Sequence, residues 1–174
     1  MLNKLFTIIL RTPWYWLALI VMGLSMEGVA LYYQYGLDFG PCFHCIYVRI
    51  WLLGMIVVAG LGLWLYRFAI ANVLLHALNT GMMIGLIDTS QQLLGAERHT
   101  LGGSCKMVLG LPSWFELDAW FPTVFAVWEP CSETPELLFG ITMAEALTIF
   151  SWGMMLLSAA LLLLQLTTII KKAG

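Results

Sequence analysis

Charged residues are what this sequence has least of. Only 10% of its 174 residues are Asp, Glu, Lys or Arg, while 61% are hydrophobic and the mean hydropathy is +0.89. A soluble domain carries about 25% charged residues, so too little polar surface remains here to cover a water-facing globule. The net charge is −2 and the basic residues are scattered, which gives no indication of a nucleic-acid partner. Composition therefore predicts a membrane protein.

Long apolar runs predict four membrane spans. A span needs about 20 consecutive apolar residues, and the run from 46 to 87 is long enough for two of them, separated by a tight turn at 66–68. The intervening segments at 34–41 and 95–140 are more polar and are predicted to be loops. We therefore expect an all-α integral membrane protein, a single domain over 1–174 with four transmembrane helices at 14–33, 46–66, 69–91 and 142–166.

The basic residues predict the orientation of this bundle. Two of them lie in the loop 95–140, namely Arg98 and Lys106. Five lie at the termini and in the turn at 66–68, namely Lys4, Arg11, Arg67, Lys171 and Lys172. The more basic side of a membrane protein is cytoplasmic. Both termini are therefore expected in the cytoplasm, and the loops 34–41 and 95–140 on the outer side.

All four cysteines fall on the predicted outer side. Cys42 and Cys45 stand where the first outer loop enters the second span, and Cys105 and Cys131 lie in the long loop. Cysteines used only as small buried hydrophobes would also occur within spans or on the inner side. An even number on an oxidising side indicates disulfides, either two inert bridges or redox-active pairs. Four cysteines allow three pairings, and the sequence does not choose between them.

The context of Cys42 and Cys45 favours redox chemistry. A C-x-x-C motif at a helix start is a redox arrangement, because the partial positive charge of the helix N-terminus favours thiolate. Arg49 follows four residues after Cys45 and shares its helix face. A charge just inside the membrane is usually functional, and this guanidinium can stabilise the Cys45 thiolate or an oxygen of an electron acceptor that gains negative charge. The alternative for Arg49 is that its side chain snorkels to the outer headgroups. His44 is either a modulator of the thiolate or an exposed spacer.

The long loop contains a segment suited to the membrane interface. Prolines stand near both ends of 111–122, and the aromatic residues between them are Trp114, Phe115, Trp120 and Phe121. Such a segment predicts a short interfacial amphipathic helix, which would hold Cys105 and Cys131 near the membrane surface. The alternative is an aromatic belt with no mechanical role.

Three further titratable residues lie in the predicted spans. Glu27 and Asp88 occupy outer halves of spans, where they would pair with Arg49, take up protons, or simply border a water-filled crevice at the interface. His76 lies toward the inner half of the third span and is expected to be a buried core residue with its hydrogen bonds satisfied.

Together these motifs resemble the DsbB family of bacterial disulfide-bond oxidases. The resemblance covers nearly the whole chain and includes the four spans and Glu27 in the first of them. Its specific motifs are Pro41-Cys42-x-x-Cys45-Ile46-Tyr47-x-Arg49 and Pro112-x-Trp114-x-x-Leu117-Asp118-x-Trp120-x-Pro122-x-Val124-Phe125, the latter bracketed by Cys105 and Cys131. Val48 departs from the pattern, since well-known members carry an acidic residue there.

The resemblance implies a thiol:quinone oxidoreductase of the bacterial inner membrane, with its cysteines in the periplasm. Cys105 would form a mixed disulfide with a periplasmic DsbA-like oxidase, and Cys131 would exchange with Cys42. Cys45 would face a membrane quinone, either ubiquinone or menaquinone, and Arg49 would support its reduction. A DsbA-like partner has a potential of about −120 mV, so an acceptor near roughly −200 mV would be uphill by several kcal/mol. A quinone provides a more oxidising acceptor.

His99 is the only histidine between the third span and Cys105. The resemblance makes it the candidate for a histidine that contacts the quinone.

Other functions compete with this interpretation. In vitamin K epoxide reductase-like proteins the loop cysteines precede the C-x-x-C, which is the reverse of the order here. A metal- or redox-sensing protein would use Cys42, His44, Cys45 and His99, and metal binding would require free thiolates. Covalent haem needs C-x-x-C-H, whereas residue 46 is Ile46. A membrane protein with purely structural disulfides is the remaining alternative.

Overall fold

The computed structural model describes residues 13–100, 105–131, 134–137 and 140–173. These residues form four long helices and two short ones and contain no β-strand. In chain order the helices are α1 (Trp14–Gly36), α2 (Phe43–Leu65), α3 (Ala69–Glu97), α4 (Leu117–Trp120), α5 (Pro122–Phe125) and α6 (Met143–Ala173). The four long helices are each long and apolar enough to cross a membrane, which confirms the predicted four-helix membrane bundle.

The helix ends differ from the predicted span ends. α2 begins at Phe43, three residues before the predicted start at 46, and α3 continues to Glu97 instead of stopping at 91. α6 continues to Ala173, beyond the predicted end at 166. Hydropathy marks only the part of a helix that matches the apolar core of the bilayer. The backbone hydrogen bonds continue past it, so the long loop begins after α3 and not at 95.

The long helices pack in a series. α1 packs against α2, α2 against α3, and α3 most extensively against α6. We call the end of the bundle where α1 and α3 finish and α2 and α6 begin the cysteine end. Close approach of α2 and α3 relies on a small residue, as is common between membrane helices, since a Cβ added at Gly85 would lie 2.5 Å from Trp51 Cζ2.

A polar cluster joins three helices in the half of the bundle away from the cysteine end. The Asn79 Nδ2 group donates to Tyr15 Oη at 3.1 Å and to Ser158 Oγ at 2.8 Å, and these two hydroxyls are 3.0 Å apart. His76 is buried with its ring 4.7 Å from that of Trp16. Its burial was expected, but its Nδ1 atom has no hydrogen-bond partner among the described residues. The cluster links α1, α3 and α6 within the apolar interior.

The long loop packs against the first turns of α2. Ile46, Leu109 and Phe125 form a small buried apolar cluster, separate from the main apolar cluster of the bundle. The Tyr47 hydroxyl donates to the Leu109 carbonyl at 2.9 Å. The predicted interfacial segment contains two four-residue helices, α4 and α5, and not one continuous helix. Three aromatic side chains of this segment are exposed, as a segment in a membrane interface requires: Trp114, Trp120 and Phe121.

The structure places three of the basic residues that predicted the orientation. Arg67 lies in the turn between α2 and α3, at the end opposite the cysteines, while Arg98 and Lys106 lie at the cysteine end. Lys4, Arg11 and the side chains of Lys171 and Lys172 are outside the described residues.

Candidate functional site

The four cysteines form two disulfides. Cys42 is bonded to Cys45 with their Cα atoms 5.0 Å apart, and Cys105 is bonded to Cys131 with a Cα–Cα distance of 5.7 Å. Of the three possible pairings, this one joins each cysteine to the partner within its own segment. Because all four sulfurs are paired, none is a free thiolate ligand for a metal in this state.

Local structure explains why the C-x-x-C pair closes at the start of α2. Cys42 is the residue before the helix, with an extended backbone, and its sulfur accepts a hydrogen bond from the Cys45 backbone N–H at 3.2 Å. A capping residue satisfies one of the free N–H groups at a helix start. The helix start predicted from Pro41 and the motif is therefore confirmed, with the first helical residue at Phe43.

Burial differs between the two cysteines of each disulfide. Cys42 is 2% exposed and Cys131 is 1% exposed, and both belong to the main apolar cluster of the bundle. Cys45 and Cys105 are only half-buried. Each bridge thus has one accessible end, and the two enclosed ends share one core.

A backbone bridge holds the two disulfide segments side by side. The Trp128 backbone N–H donates to the Pro41 carbonyl at 3.0 Å, and Cys42 forms an isolated parallel bridge with Glu129. Cys131 follows Glu129 by two residues, so the bridge brings its segment alongside Cys42. The predicted proximity of the long loop to the C-x-x-C thus follows from main-chain pairing.

A cavity of about 550 Å³ lies at the cysteine end. Its walls come from α1, α2, the start of α6 and the adjoining loops, and Cys45 and Arg49 both line it. Most of the remaining lining is apolar, including Met26, Val29, Ala30, Val48, Leu52 and Leu147. The volume lies in the range of about 300–1,000 Å³ that is typical of small-molecule sites.

The Arg49 side chain turns into the protein. Arg49 is 4% exposed, and its Nη1 atom donates to Gln34 Oε1 at 2.7 Å and to the Val124 carbonyl at 3.0 Å. Its Nη2 atom donates to the Ala30 carbonyl at 3.2 Å. Snorkelling to the headgroups is therefore wrong for Arg49. The hydrogen-bond acceptors of this guanidinium are all neutral, so its positive charge lines the cavity without an ion pair among the described residues.

Neither predicted carboxylate partner pairs with Arg49. The described residues contain one ion pair, between Arg98 and Glu145. Glu27 is half-buried, and its Oε1 atom has no hydrogen-bond partner among the described residues. Asp88 is exposed and accepts a hydrogen bond from Gln92 at 2.8 Å.

The two histidines assigned to the site occupy different surroundings. His44 is buried, with its ring 5.1 Å from Phe43 and its Nε2 atom unbonded among the described residues, so it is not an exposed spacer. His99 is exposed in the turn after α3, with a left-handed backbone φ of 52°. It is not among the residues that line the cavity, and a quinone contact by His99 stays a prediction.

Sequence reasoning missed one residue at this site. Gln34 lies in the last turns of α1, is 6% exposed and contacts Arg49 directly. The available signal was weak, since Gln34 is a polar residue at the end of an apolar span, where many polar residues simply face headgroups.

Comparison with known proteins agrees with the geometry. The family model described as "Disulfide bond formation protein DsbB" matches residues 12–161. Disulfide bond formation protein B 2 of Pseudomonas aeruginosa is 32% identical over 150 residues, covering 84% of this chain and 89% of the relative. Disulfide bond formation protein B of Haemophilus influenzae is 30% identical over 155 residues, covering 84% of each chain. The chain therefore belongs to the DsbB family and is a multi-pass membrane oxidoreductase of disulfide bond formation.

Proposed function

We propose that this protein reoxidises a periplasmic DsbA-like dithiol oxidase and transfers the electrons to a membrane quinone. The order of the sulfur atoms carries the proposal. Cys105 is the accessible end of the loop disulfide, Cys131 and Cys42 are enclosed in one core, and Cys45 faces the cavity. This order provides a route from an external dithiol to the cavity.

The exchange steps follow from thiolate chemistry. A partner thiolate attacks Cys105 Sγ, which forms a mixed disulfide and releases Cys131 as a thiolate. Cys131 then attacks Cys42 Sγ, which breaks the Cys42–Cys45 bond and leaves Cys45 as a thiolate at the cavity. The partner's second thiolate attacks the mixed disulfide, so the partner leaves oxidised and Cys105 is freed.

The second half of the cycle restores the loop disulfide. The Cys105 thiolate attacks Cys131 Sγ, which re-forms the Cys105–Cys131 bond and releases Cys42. The two electrons taken from the partner now reside in the dithiol of Cys42 and Cys45. The guanidinium of Arg49 beside the cavity stabilises negative charge on the Cys45 thiolate and on an acceptor oxygen.

The cavity residues fit a quinone. The apolar walls suit a quinone ring and an apolar tail, and Arg49 supplies the one cationic donor among the lining side chains. A bound quinone supplies the acceptor for the two electrons and two protons of the dithiol. Ubiquinone and menaquinone both satisfy these requirements, because the walls discriminate by apolarity and size and not by a pattern of polar groups.

The location proposed for this reaction is the bacterial inner membrane, with both termini in the cytoplasm and the cysteine end in the periplasm. The support is the excess of basic residues at the termini and the turn 66–68, because the more basic side of a membrane protein is cytoplasmic. Labelling by a membrane-impermeant maleimide in intact spheroplasts tests it, after mild reduction of the cells. Labelling of Cys105 is expected, and labelling only after lysis would contradict the orientation.

Reconstitution tests the reaction itself. The purified protein in lipid vesicles, given a reduced DsbA-like oxidase and either ubiquinone or menaquinone analogues, should oxidise the partner with stoichiometric loss of quinone absorbance. A partner variant that lacks its second cysteine should accumulate a mixed disulfide with Cys105, because it has no second thiolate to resolve that bond, while Cys45→Ala should abolish quinone reduction. No quinone-dependent oxidation of the partner by the protein with all four cysteines would refute the proposal.

A further inference from the structure

The amide of Gln34 makes two short hydrogen bonds in a buried position. Its Oε1 atom accepts from Arg49 Nη1 at 2.7 Å, and its Nε2 atom donates to the Thr123 carbonyl at 2.6 Å. A guanidinium can only donate and a carbonyl can only accept. The amide oxygen of Gln34 must therefore face Arg49, and its nitrogen must face the Thr123 carbonyl. Gln34 is 6% exposed, and water therefore does not compete freely for either bond.

The two bonds join three parts of the site. Gln34 belongs to α1, Arg49 to α2, and Thr123 to α5 in the long loop. Val124, the residue after Thr123, also accepts from Arg49 Nη1 at 3.0 Å. The Thr123 carbonyl anchors one end of the amide, so the other end presents its oxygen to the guanidinium. Without Gln34, Nη1 would keep a single neutral acceptor.

We propose that Gln34 is a positioning residue that holds the Arg49 guanidinium at the cavity. The proposal rests on the proposed function, because the quinone reaction is what this guanidinium serves. An arginine side chain has several rotatable bonds and loses much rotamer entropy when it is fixed. A hydrogen bond from a charged donor is stronger than one between neutral groups. The bond from Arg49 to Gln34 therefore increases the fraction of time that the guanidinium spends in its position at the cavity.

The test compares three variants in the vesicle assay with ubiquinone-1 as the probe. Gln34→Leu removes both hydrogen bonds at similar side-chain volume, and the apparent KM for ubiquinone-1 should rise roughly 10- to 100-fold. Gln34→Glu keeps an oxygen acceptor for Arg49 but loses the donor to the Thr123 carbonyl and adds a negative charge beside the guanidinium. Its KM should therefore rise, but less than that of Gln34→Leu. Tyr35→Phe is the matched control, because the Tyr35 hydroxyl donates to the same Thr123 carbonyl at 2.8 Å and makes no hydrogen bond to Arg49 in the part of the chain that the structure describes.

Two further measurements separate positioning from loss of structure. Reduction of the Cys105–Cys131 bridge by a reduced DsbA-like oxidase, followed without quinone, should keep its normal rate in Gln34→Leu. Adding Gln34→Leu to Arg49→Met should raise the KM no further, because residues that act as a unit are not additive. Should Gln34→Leu fail to assemble, Gln34→Glu is compared with Arg49→Met, and the KM of Gln34→Glu should stay below that of Arg49→Met because the guanidinium keeps its acceptor; an equal KM would contradict the proposal.

Three results would overturn the proposal. One is an unchanged KM for ubiquinone-1 in Gln34→Leu. If the unmodified protein reduces quinone in the same assay, this result refutes the role of Gln34 but not the proposed function. Another is multiplication of the two losses in the double variant. The third is a rise in KM for Gln34→Glu as large as that for Gln34→Leu. A lack of quinone reduction by the unmodified protein would instead refute the proposed function, and the role of Gln34 with it.

Discussion

Gly40→Ala should slow electron transfer between the two disulfides. Gly40 precedes Pro41 in the segment that pairs with the long loop, and its backbone N–H donates to Glu129 Oε1 at 3.1 Å. A Cβ added at Gly40 would lie 2.7 Å from Trp128 Cβ and 3.2 Å from Glu129 Cγ. The nearest of these atoms is attached directly to the backbone, so it cannot rotate away.

The size of the effect follows from these distances. Two carbon atoms prefer a separation of about 3.5–4.0 Å, so the two segments must move apart by roughly 1 Å. That shift would lengthen the hydrogen bond between Trp128 N–H and the Pro41 carbonyl, now 3.0 Å, beyond the usual limit of about 3.2 Å. Overpacking of this kind costs about 1–3 kcal/mol. A misplacement of about 1 Å between reacting groups can cost about 100-fold in rate, and we expect the exchange between Cys131 and Cys42 to slow about 10- to 100-fold.

Rapid quenching with an alkylating reagent measures this step. Reduced DsbA-like oxidase is mixed with the protein in the absence of quinone, and the alkylated cysteine peptides are counted by mass spectrometry at successive times. In Gly40→Ala the loop disulfide should open at the normal rate, while the Cys45 thiol should be delayed. Gly60→Ala is the control, since a Cβ at Gly60 meets no atom within 4 Å. Appearance of the Cys45 thiol at the normal rate would refute the argument that the pairing of these segments aligns the disulfides.

Three further predictions concern the stability of the bundle and the attachment of the long loop to it. Asn79→Leu removes hydrogen bonds of 3.1 and 2.8 Å to α1 and α6 and should lower the free energy of unfolding in mixed micelles by about 1–2 kcal/mol; an equal or higher value would contradict a stabilising role. Gly85→Ala places a Cβ 2.5 Å from Trp51 and should cost about 1–3 kcal/mol, whereas Gly81→Ala, which meets no atom within 4 Å, should not destabilise. Tyr47→Phe loses a 2.9 Å hydrogen bond to the loop, worth about 0.5–1.5 kcal/mol. Limited proteolysis should therefore cut the loop faster, and unchanged cleavage would show that the apolar contacts suffice.

Features that depend on local chemistry were predictable from the sequence. The sparse charge and the apolar runs indicated four spans, and the structure confirms four helices of sufficient length and apolarity. The start of α2 next to Cys42 followed from Pro41 and the C-x-x-C motif, and the helix begins at Phe43. The start of a helix depends on residues that are close together in the chain, which is why helix-capping rules predict it. The number of spans depends on how the bilayer solvates each segment, which is why hydropathy predicts it.

Other features were decided only by the tertiary structure. The sequence left three cysteine pairings open, and the fold closes the pair 42–45 and the pair 105–131. From the sequence, the Arg49 side chain could extend to the headgroups or turn into the protein. It turns into the protein because oxygen atoms of α1 and α5 accept hydrogen bonds from its guanidinium. The contact of Gln34 with Thr123 spans 89 residues. Such contacts depend on how the loop packs against α1 and α2, and no periodicity within either segment encodes which distant backbone carbonyl will lie opposite a given side chain.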